Sequence, residues 1–220
     1  MRTLIVMPAY NESLVLAETL KGLQACTEAT ILVVDDGSSD RTSKIAARCH
    51  VRVVRHMINL GLGAAIGTGV EVARREGFNR LVTFDADGQH NPEDVKKLLK
   101  ALDSSDVAVG VREVHTDRMP LVKKIGNYAL NILTLALFGV YSRDSQSGLR
   151  AFNRKAIESM KLRASRYEVS SEILYEAKRS GLRLSEVPVE VIYTKHSKSR
   201  GTGVLDGFKI VWHMVLHRGM

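Results

Sequence analysis

Only two cysteines, Cys26 and Cys49, occur among 220 residues, too few for the disulfide frameworks that hold small secreted domains together. The pair reads as reduced thiols in an intracellular protein. Aromatic residues are scarce too, at 5% of the chain. No aromatic-rich recognition motif appears, so an RNA or DNA partner is not expected. A bilayer-crossing helix needs about 18 or more consecutive apolar residues. The nearest segment, Leu121–Val140, is interrupted by Lys123, Lys124, Asn127 and Asn131. The first apolar stretch, Leu4–Met7, is too short for a signal sequence and runs at once into Pro8. No internal repeat, low-complexity tract or linker divides the chain. It is read as one domain over residues 1–220, long enough to bury about 70% of its unfolded surface.

What the chain does have is positive charge and buried strands. The formal net charge is +8, which raises the local concentration of anionic partners such as phosphorylated small molecules or anionic lipid. In the first half, strand-like runs alternate with helical patterns. Leu4–Met7, Ile31–Val34, Val51–Arg55, Leu81–Phe84 and Val107–Gly110 are the expected strands, and continuous apolar runs of this kind mark strands covered on both faces. Helices are expected after Asn11-Glu12-Ser13, up to about Cys49, from Gly61 to Arg75, and from Asn91-Pro92, where an Asn cap and a first-position Pro coincide. This order predicts an α/β fold: a mostly parallel sheet with helices on both faces and a Rossmann-like first half. The second half is less regular. Helices are expected at Pro120–Phe138, Tyr167–Ser180 and Leu205–Leu216, with a strand-like Leu184–Tyr193.

Ligands of such sheets bind outside the carboxyl ends of the strands, and the acidic residues gather there. Asp85 and Asp87 follow the Leu81–Phe84 run, with Gln89 two residues on. Alternate carboxylates leaving a sheet can aim oxygens at one small volume, the ligand chemistry of Mg²⁺ or Mn²⁺. The same residues would equally make an Asp87-Gly88 turn with Asp85 as a cap. Asp35 and Asp36 end the second strand, where Asp36 can accept hydrogen bonds from a base or ribose. At the end of the first strand Tyr10 can stack on a base and Glu12 can hold a ribose hydroxyl, with capping as the competing role. Asn59–Ala65 carries glycines but not the dinucleotide-binding spacing, since Gly67 falls one position too late. It is expected to be a helix entry where small residues allow close backbone packing.

Pro8–Glu12, Asp35–Asp40, Asn59–Ala65, Asp85–Gln89 and Asp144–Phe152 together resemble, in order and over nearly the whole chain, the family-2 glycosyltransferases of GT-A fold. Within them the chain is most similar to dolichol-phosphate mannose synthases and related polyprenyl-phosphate glycosyltransferases. The resemblance implies a nucleotide-sugar-binding half, residues 1–110, and an acceptor-binding half with amphipathic helices, residues 111–220. Pro8, Ala9, Tyr10, Glu12 and Asp36 would hold the nucleoside. Asp85, Ala86, Asp87 and Gln89 would form the metal and donor-phosphate site, with Asp85, Asp87 and Gln89 as ligands of Mg²⁺ or Mn²⁺. Arg112 would lie near the donor, and Lys195, Lys198 and Arg200 would belong to a basic loop touching phosphates.

The reaction so implied is an inverting transfer of a sugar from a GDP- or UDP-linked donor to a polyprenyl or dolichyl phosphate. Asp87, Arg112 and Asp144 are the expected catalytic residues, Asp144 either as a base or as a residue ordering the acceptor loop. A lipid phosphate is already an anion near neutral pH, whereas a sugar hydroxyl would need a base. Glycosyl transfer to a saccharide and a non-catalytic nucleotide-sugar-binding subunit are the competing functions. The chain is similar to short members that lack C-terminal membrane helices. Attachment would then be peripheral, on the cytoplasmic face, through the apolar faces of Leu121–Val140 and of the last helix with its Phe208 and Trp212. A homo-oligomer or a membrane-protein partner is left open.

Overall fold

A computed structural model of the protein describes residues 1–112, 131, 132, 134–136 and 138–192. The strands are β1 (Thr3–Ala9), β2 (Thr30–Asp35), β3 (Arg52–Arg55), β4 (Arg80–Thr83), β5 (Val107–Arg112), β6 (Arg150–Asn153) and β7 (Leu184–Val189). The helices are α1 (Leu16–Cys26), α2 (Thr42–Arg48), α3 (Leu62–Arg75), α4 (Asp94–Ala101), α5 (Arg154–Ser159) and α6 (Val169–Arg179). The expected Leu205–Leu216 helix, the basic stretch with Lys195, Lys198 and Arg200, and most of Pro120–Phe138 lie outside the described residues.

Seven strands form one sheet in the order β3-β2-β1-β4-β6-β5-β7. All its pairings are parallel except those of β6, which runs antiparallel to β4 and β5. Strand β6 thus separates β4 from β5. The strand alternation explains the two cores. Leu4 and Val6 of β1 face one side with Ile66 and Val70 of α3 and Ile173 and Leu174 of α6. Ile5 and Met7 face the other with Leu16, Leu20 and Leu23 of α1 and Val95 and Leu98 of α4. Successive side chains of a strand point to opposite faces, so an uninterrupted apolar run requires a helix layer on each.

Two helix starts differ from expectation by a few residues. Asn91 and Pro92 form a turn before α4, in which Asn91 Oδ1 accepts from the Glu93 amide at 3.1 Å, and the helix begins at Asp94. The start of α1 is likewise delayed to Leu16, after a turn closed by Leu16 N donating to Glu12 O at 3.0 Å. Helix α5, which the sequence reading did not place, is capped by Asn153, whose Oδ1 accepts from Ala156 N at 2.9 Å.

The helix entry at Asn59–Ala65 packs as its small residues suggested. Ala64 N donates to Ser165 O at 3.1 Å, and a Cβ on Gly63 would lie 2.1 Å from Ala164 O. Backbone, rather than a movable side chain, occupies that space. Gly63→Val is expected to destabilise the fold by about 2 kcal/mol through overpacking, read as a lower urea midpoint with unchanged slope.

Candidate active site

The carboxyl ends of β1, β2 and β4 lie side by side because these strands are parallel neighbours. The loops after β1 and β2 are knitted together before any ligand is considered. Asn11, with φ 56°, receives Ser39 N on Oδ1 at 2.9 Å and donates its own amide to Ser38 Oγ at 2.9 Å. Glu12 N donates to Thr42 Oγ1 at 2.9 Å and Ser13 N to Asp40 Oδ2 at 3.1 Å. Burial works against the Asp40 charge, but hydrogen bonds from Thr42 and Ser13 outweigh it and hold the carboxyl at a pKa of about 2.

These ties place Tyr10, 46% exposed, at the open edge, with Glu12 close enough to Asp87 to act on its charge. Pro8 and Ala9 are strand residues paired with Val34 and Asp35, and the Ala9 side chain belongs to the core. Asp36, expected at the nucleoside, follows directly on the end of β2. It is only 4% exposed and accepts from His56 Nδ1 at 2.7 Å, Leu60 N at 2.9 Å and Gly61 N at 2.8 Å. In this arrangement its oxygens are committed to the segment leading into α3.

Beyond β4 the chain turns sharply. Asp87 Oδ1 accepts from Gln89 N at 3.0 Å, and Oδ2 from Gln89 Nε2 at 2.7 Å. Asp85, whose side chain is 37% exposed, accepts from His90 Nε2 at 3.1 Å. Ala86 between them points into the core, which leaves its backbone alone to meet a donor. Asp85 also lies against the backbone at Gly148: a Cβ there would sit 2.1 Å from Asp85 Oδ2. Thr83 Oγ1 holds the Gly148 carbonyl at 2.7 Å. The turn is further tied to the end of β7, where Ile192 N donates to Gln89 O at 2.8 Å and Asn91 Nδ2 to Glu190 Oε2 at 2.9 Å.

A small cleft is lined by Asp85, Asp87, Gln89, His90, Arg112, Gln146, Ser147, Gly148 and Val191. Its two carboxylates are set apart electrostatically. Burial first, and then the negative charge of Asp85, push Asp87 up to about 6. Asp85 is held below the ordinary range: burial opposes this, but the His90 hydrogen bond and the charges of His90, Arg112 and Arg150 prevail. His90 in turn is raised, because Asp85 and Asp87 outweigh its burial. Its ring packs edge-on against Phe84 at 5.4 Å.

Arg112 and Asp144 form a bidentate pair, Nε to Oδ2 at 2.5 Å and Nη2 to Oδ1 at 2.6 Å. A carboxylate gripped on both oxygens by a guanidinium holds that guanidinium in one orientation. The segment carrying Asp144 is pinned elsewhere too. Arg143 Nε and Ser142 Oγ bond Glu186 of β7, and Ser145 N bonds Asn131 Oδ1 at 3.0 Å. Below it lies Arg150, 1% exposed, donating from Nη2 to Ser145 O at 2.7 Å. Burial lowers its pKa to about 10, against the pull of Asp144 and Asp85, so it stays a cation at neutral pH.

A divalent metal fits this donor set in part. Among the described residues no three His, Cys, Asp or Glu side chains cluster to hold an ion unaided. Gln89 presents its amide N–H to Asp87. Yet Asp85 and Asp87 are hard, mutually repelling oxygens, and Mg²⁺ and Mn²⁺ commonly take one or two carboxylates with substrate phosphates completing the shell.

A protein-family model for glycosyl transferase family 2 matches residues 4–160. The chain belongs to that family. It is therefore a glycosyltransferase. The transferase is 40% identical to a UDP-N-acetylglucosamine–dolichyl-phosphate N-acetylglucosaminyltransferase of Methanococcus voltae, over 96% of this chain and 94% of that protein. It is 30% identical to an undecaprenyl-phosphate mannosyltransferase of Micrococcus luteus, over 96% and 92%. Its fold is that of the glucosyl-3-phosphoglycerate synthase of Mycobacterium tuberculosis, a structure with Mn²⁺, UDP-glucose and phosphoglyceric acid. The TM-score is 0.77 at 18% identity, covering all of this chain and 80% of that one. The transferase thus has the GT-A fold.

His90 and Arg150 are among the residues at the site that motif reading passed over, with Gln146, Ser147 and Val191 of the cleft lining. The first two stood inside quoted or adjacent motifs, but only the fold turns His90 onto Asp85 and buries Arg150 beneath the cleft. The charge separation has a stability consequence. A carboxyl whose native pKa is raised is better tolerated protonated, so its ionisation subtracts stability as pH rises from its ordinary range, near 4, through about 6. Asp87→Asn is therefore expected to stabilise the ligand-free transferase at pH 7 by about 1–3 kcal/mol, with the gain shrinking below pH 6. Urea unfolding across pH 5 to 8 measures it.

Proposed function

We propose that the transferase moves a sugar from a nucleotide-sugar to a polyprenyl phosphate at a membrane surface, with inversion at the sugar carbon. The Arg112–Asp144 pair beside the cleft carries this reading. Asp144, the expected base of the competing saccharide reading, is clamped on both oxygens by Arg112. An acceptor that is already an anion needs no such base, while a sugar hydroxyl does. The names of the two relatives, both acting on lipid phosphates, support the same acceptor.

On this reading Tyr10 stacks on the base, Glu12 holds the ribose, and Asp85 and Asp87 hold Mg²⁺ or Mn²⁺ against the donor diphosphate. When bound, the cation offsets the charge that develops on the leaving diphosphate. Arg112, steadied by Asp144, lends positive charge beside the cleft, while Gln146 and Ser147 line the approach opposite the acidic turn. Lys195, Lys198 and Arg200 would contact phosphates from the segment after β7. Residues 1–110 would serve the donor and residues 111–220 the acceptor within a single domain. Among the described residues no helix is long and apolar enough to cross a membrane, and contact through amphipathic surfaces on the cytoplasmic face completes the proposal.

The donor is tested by thermal shift with UDP-, GDP- and TDP-sugars, with and without Mn²⁺. One donor should raise the melting temperature in a metal-dependent way, and Asp87→Ala should abolish that shift. No shift with any donor would sink the donor site. The acceptor is tested with the responding donor and farnesyl phosphate. Asp144→Asn should lower kcat by about 10- to 100-fold through loss of orientation, as for displaced positioning groups, without changing the shape of the pH profile. Activity of that variant returning at high pH, or transfer to a saccharide in place of the lipid phosphate, would overturn the phosphate reading.

A further inference from the structure

Arg150 is the largest side chain fully enclosed among the described residues. It opens β6, between Thr83 of β4 and Val109 of β5. Burying a cation there is expensive, since the effective desolvation penalty is several kcal/mol per ion. Among the described residues no carboxylate forms an ion pair with it. Its hydrogen bond goes to a backbone carbonyl, Ser145 O, and its Nε has no partner at all. A purely structural position would be served as well by an apolar side chain of similar volume.

Its surroundings give the cation a task. Ser145 begins the wall that continues through Gln146, Ser147 and Gly148 along the cleft. At Gly148 this wall touches Asp85, with no room for a side chain between them. On the other flank stands Asp144, gripped by Arg112. The negative charges that act on Arg150 are those of Asp144 and Asp85. The guanidinium thus sits behind the cleft, between the acid that would face a metal and the acid that orients Arg112.

We propose that Arg150 is a positioning residue for sugar transfer: from beneath the cleft it pins the Ser145 carbonyl and supplies the fixed positive charge against which Asp85 and Asp144 are set. It reaches neither substrate. It acts through the Ser145–Gly148 wall and through the field of its own enclosed charge on the two acids. A diphosphate arriving at Asp85 and Asp87 then meets a site whose geometry is already made.

The test compares wild type with Arg150→Met, Arg150→Gln and Arg150→Lys. The three readouts are kcat with the responding donor and farnesyl phosphate, affinity for Mn²⁺ with UDP or GDP by calorimetry, and the urea midpoint. The kinetic arm rests on the polyprenyl-phosphate reading; the binding arm does not. Expected is a loss of kcat of at least about 30-fold and a roughly tenfold weaker metal–nucleotide affinity in the neutral variants, at a urea midpoint close to wild type, in the range seen when positioned groups are displaced. Arg150→Lys, which keeps the charge, should recover a large part of both. Should Arg150→Met fail to fold, Arg150→Gln carries the same comparison. Neutral variants within threefold of wild type in kcat and affinity would overturn the proposal. So would lysine performing no better than methionine, with losses that merely follow stability. If wild type binds the metal and nucleotide but makes no prenyl product, the acceptor reading falls and the affinity series alone judges Arg150.

Discussion

Two carboxylates placed two residues apart at the end of a buried strand repel each other, and the cleft is organised around that repulsion. Asp85 keeps its charge because His90, Arg112 and Arg150 stand around it, while Asp87 bears the penalty and is pushed up to about 6. Such an arrangement is poorly suited to an empty protein and well suited to one that meets a multivalent cation. The strain is small against the apolar burial on both sheet faces, which fixes the strand ends regardless of what the acids prefer. Stability and function are therefore held by different parts of the same strands: apolar middles and acidic tips.

The antiparallel strand β6 is what completes the cleft. It enters the sheet between β4 and β5 and starts at the edge where the parallel strands finish. Gly148, Leu149 and Arg150 are thereby delivered next to Asp85 and the end of β5. Gly110 N donates to Leu149 O at 2.9 Å, so the wall of the cleft is a continuation of the sheet rather than a free loop. A group placed by sheet hydrogen bonds is held far more closely than one on a mobile connection, and catalytic positioning depends on such tolerances.

Much of this was legible in the sequence, for definable reasons. Runs such as Ile31–Val34 signal strands because only a strand with helices on both faces needs every side chain apolar. Acids directly after such runs must lie at the carboxyl edge, so Asp85, Asp87 and Asp36 were rightly placed in the neighbourhood. What a pattern does not carry is the direction of a side chain. Asp36 turns inward because three donors from the 56–61 segment converge on it, partners that only the parallel pairing of β2 and β3 brings near. The grip of Arg112 on Asp144 is equally non-local, joining residues 32 apart. Gln89 lies where expected, yet its amide satisfies Asp87. Arg150 looks from sequence like a surface cation, and its burial follows from the register of β6 alone.

The place of β6 in the sheet also bears on how the chain is made. As the ribosome delivers residues in order, β1 to β4 can assemble at once, for their pairings join segments already present. Strand β5 cannot join them, because its neighbours are β6 and β7, which come later. Until residue 153 has emerged, β4 presents an open apolar edge of the kind that invites pairing with other chains. The acidic turn stays loose longer still, until residues 190–192 arrive to hold Gln89 and Asn91. The first 110 residues, proposed to serve the donor, are thus not a unit of folding. Their sheet is completed only once the later strands β6 and β7 have been made.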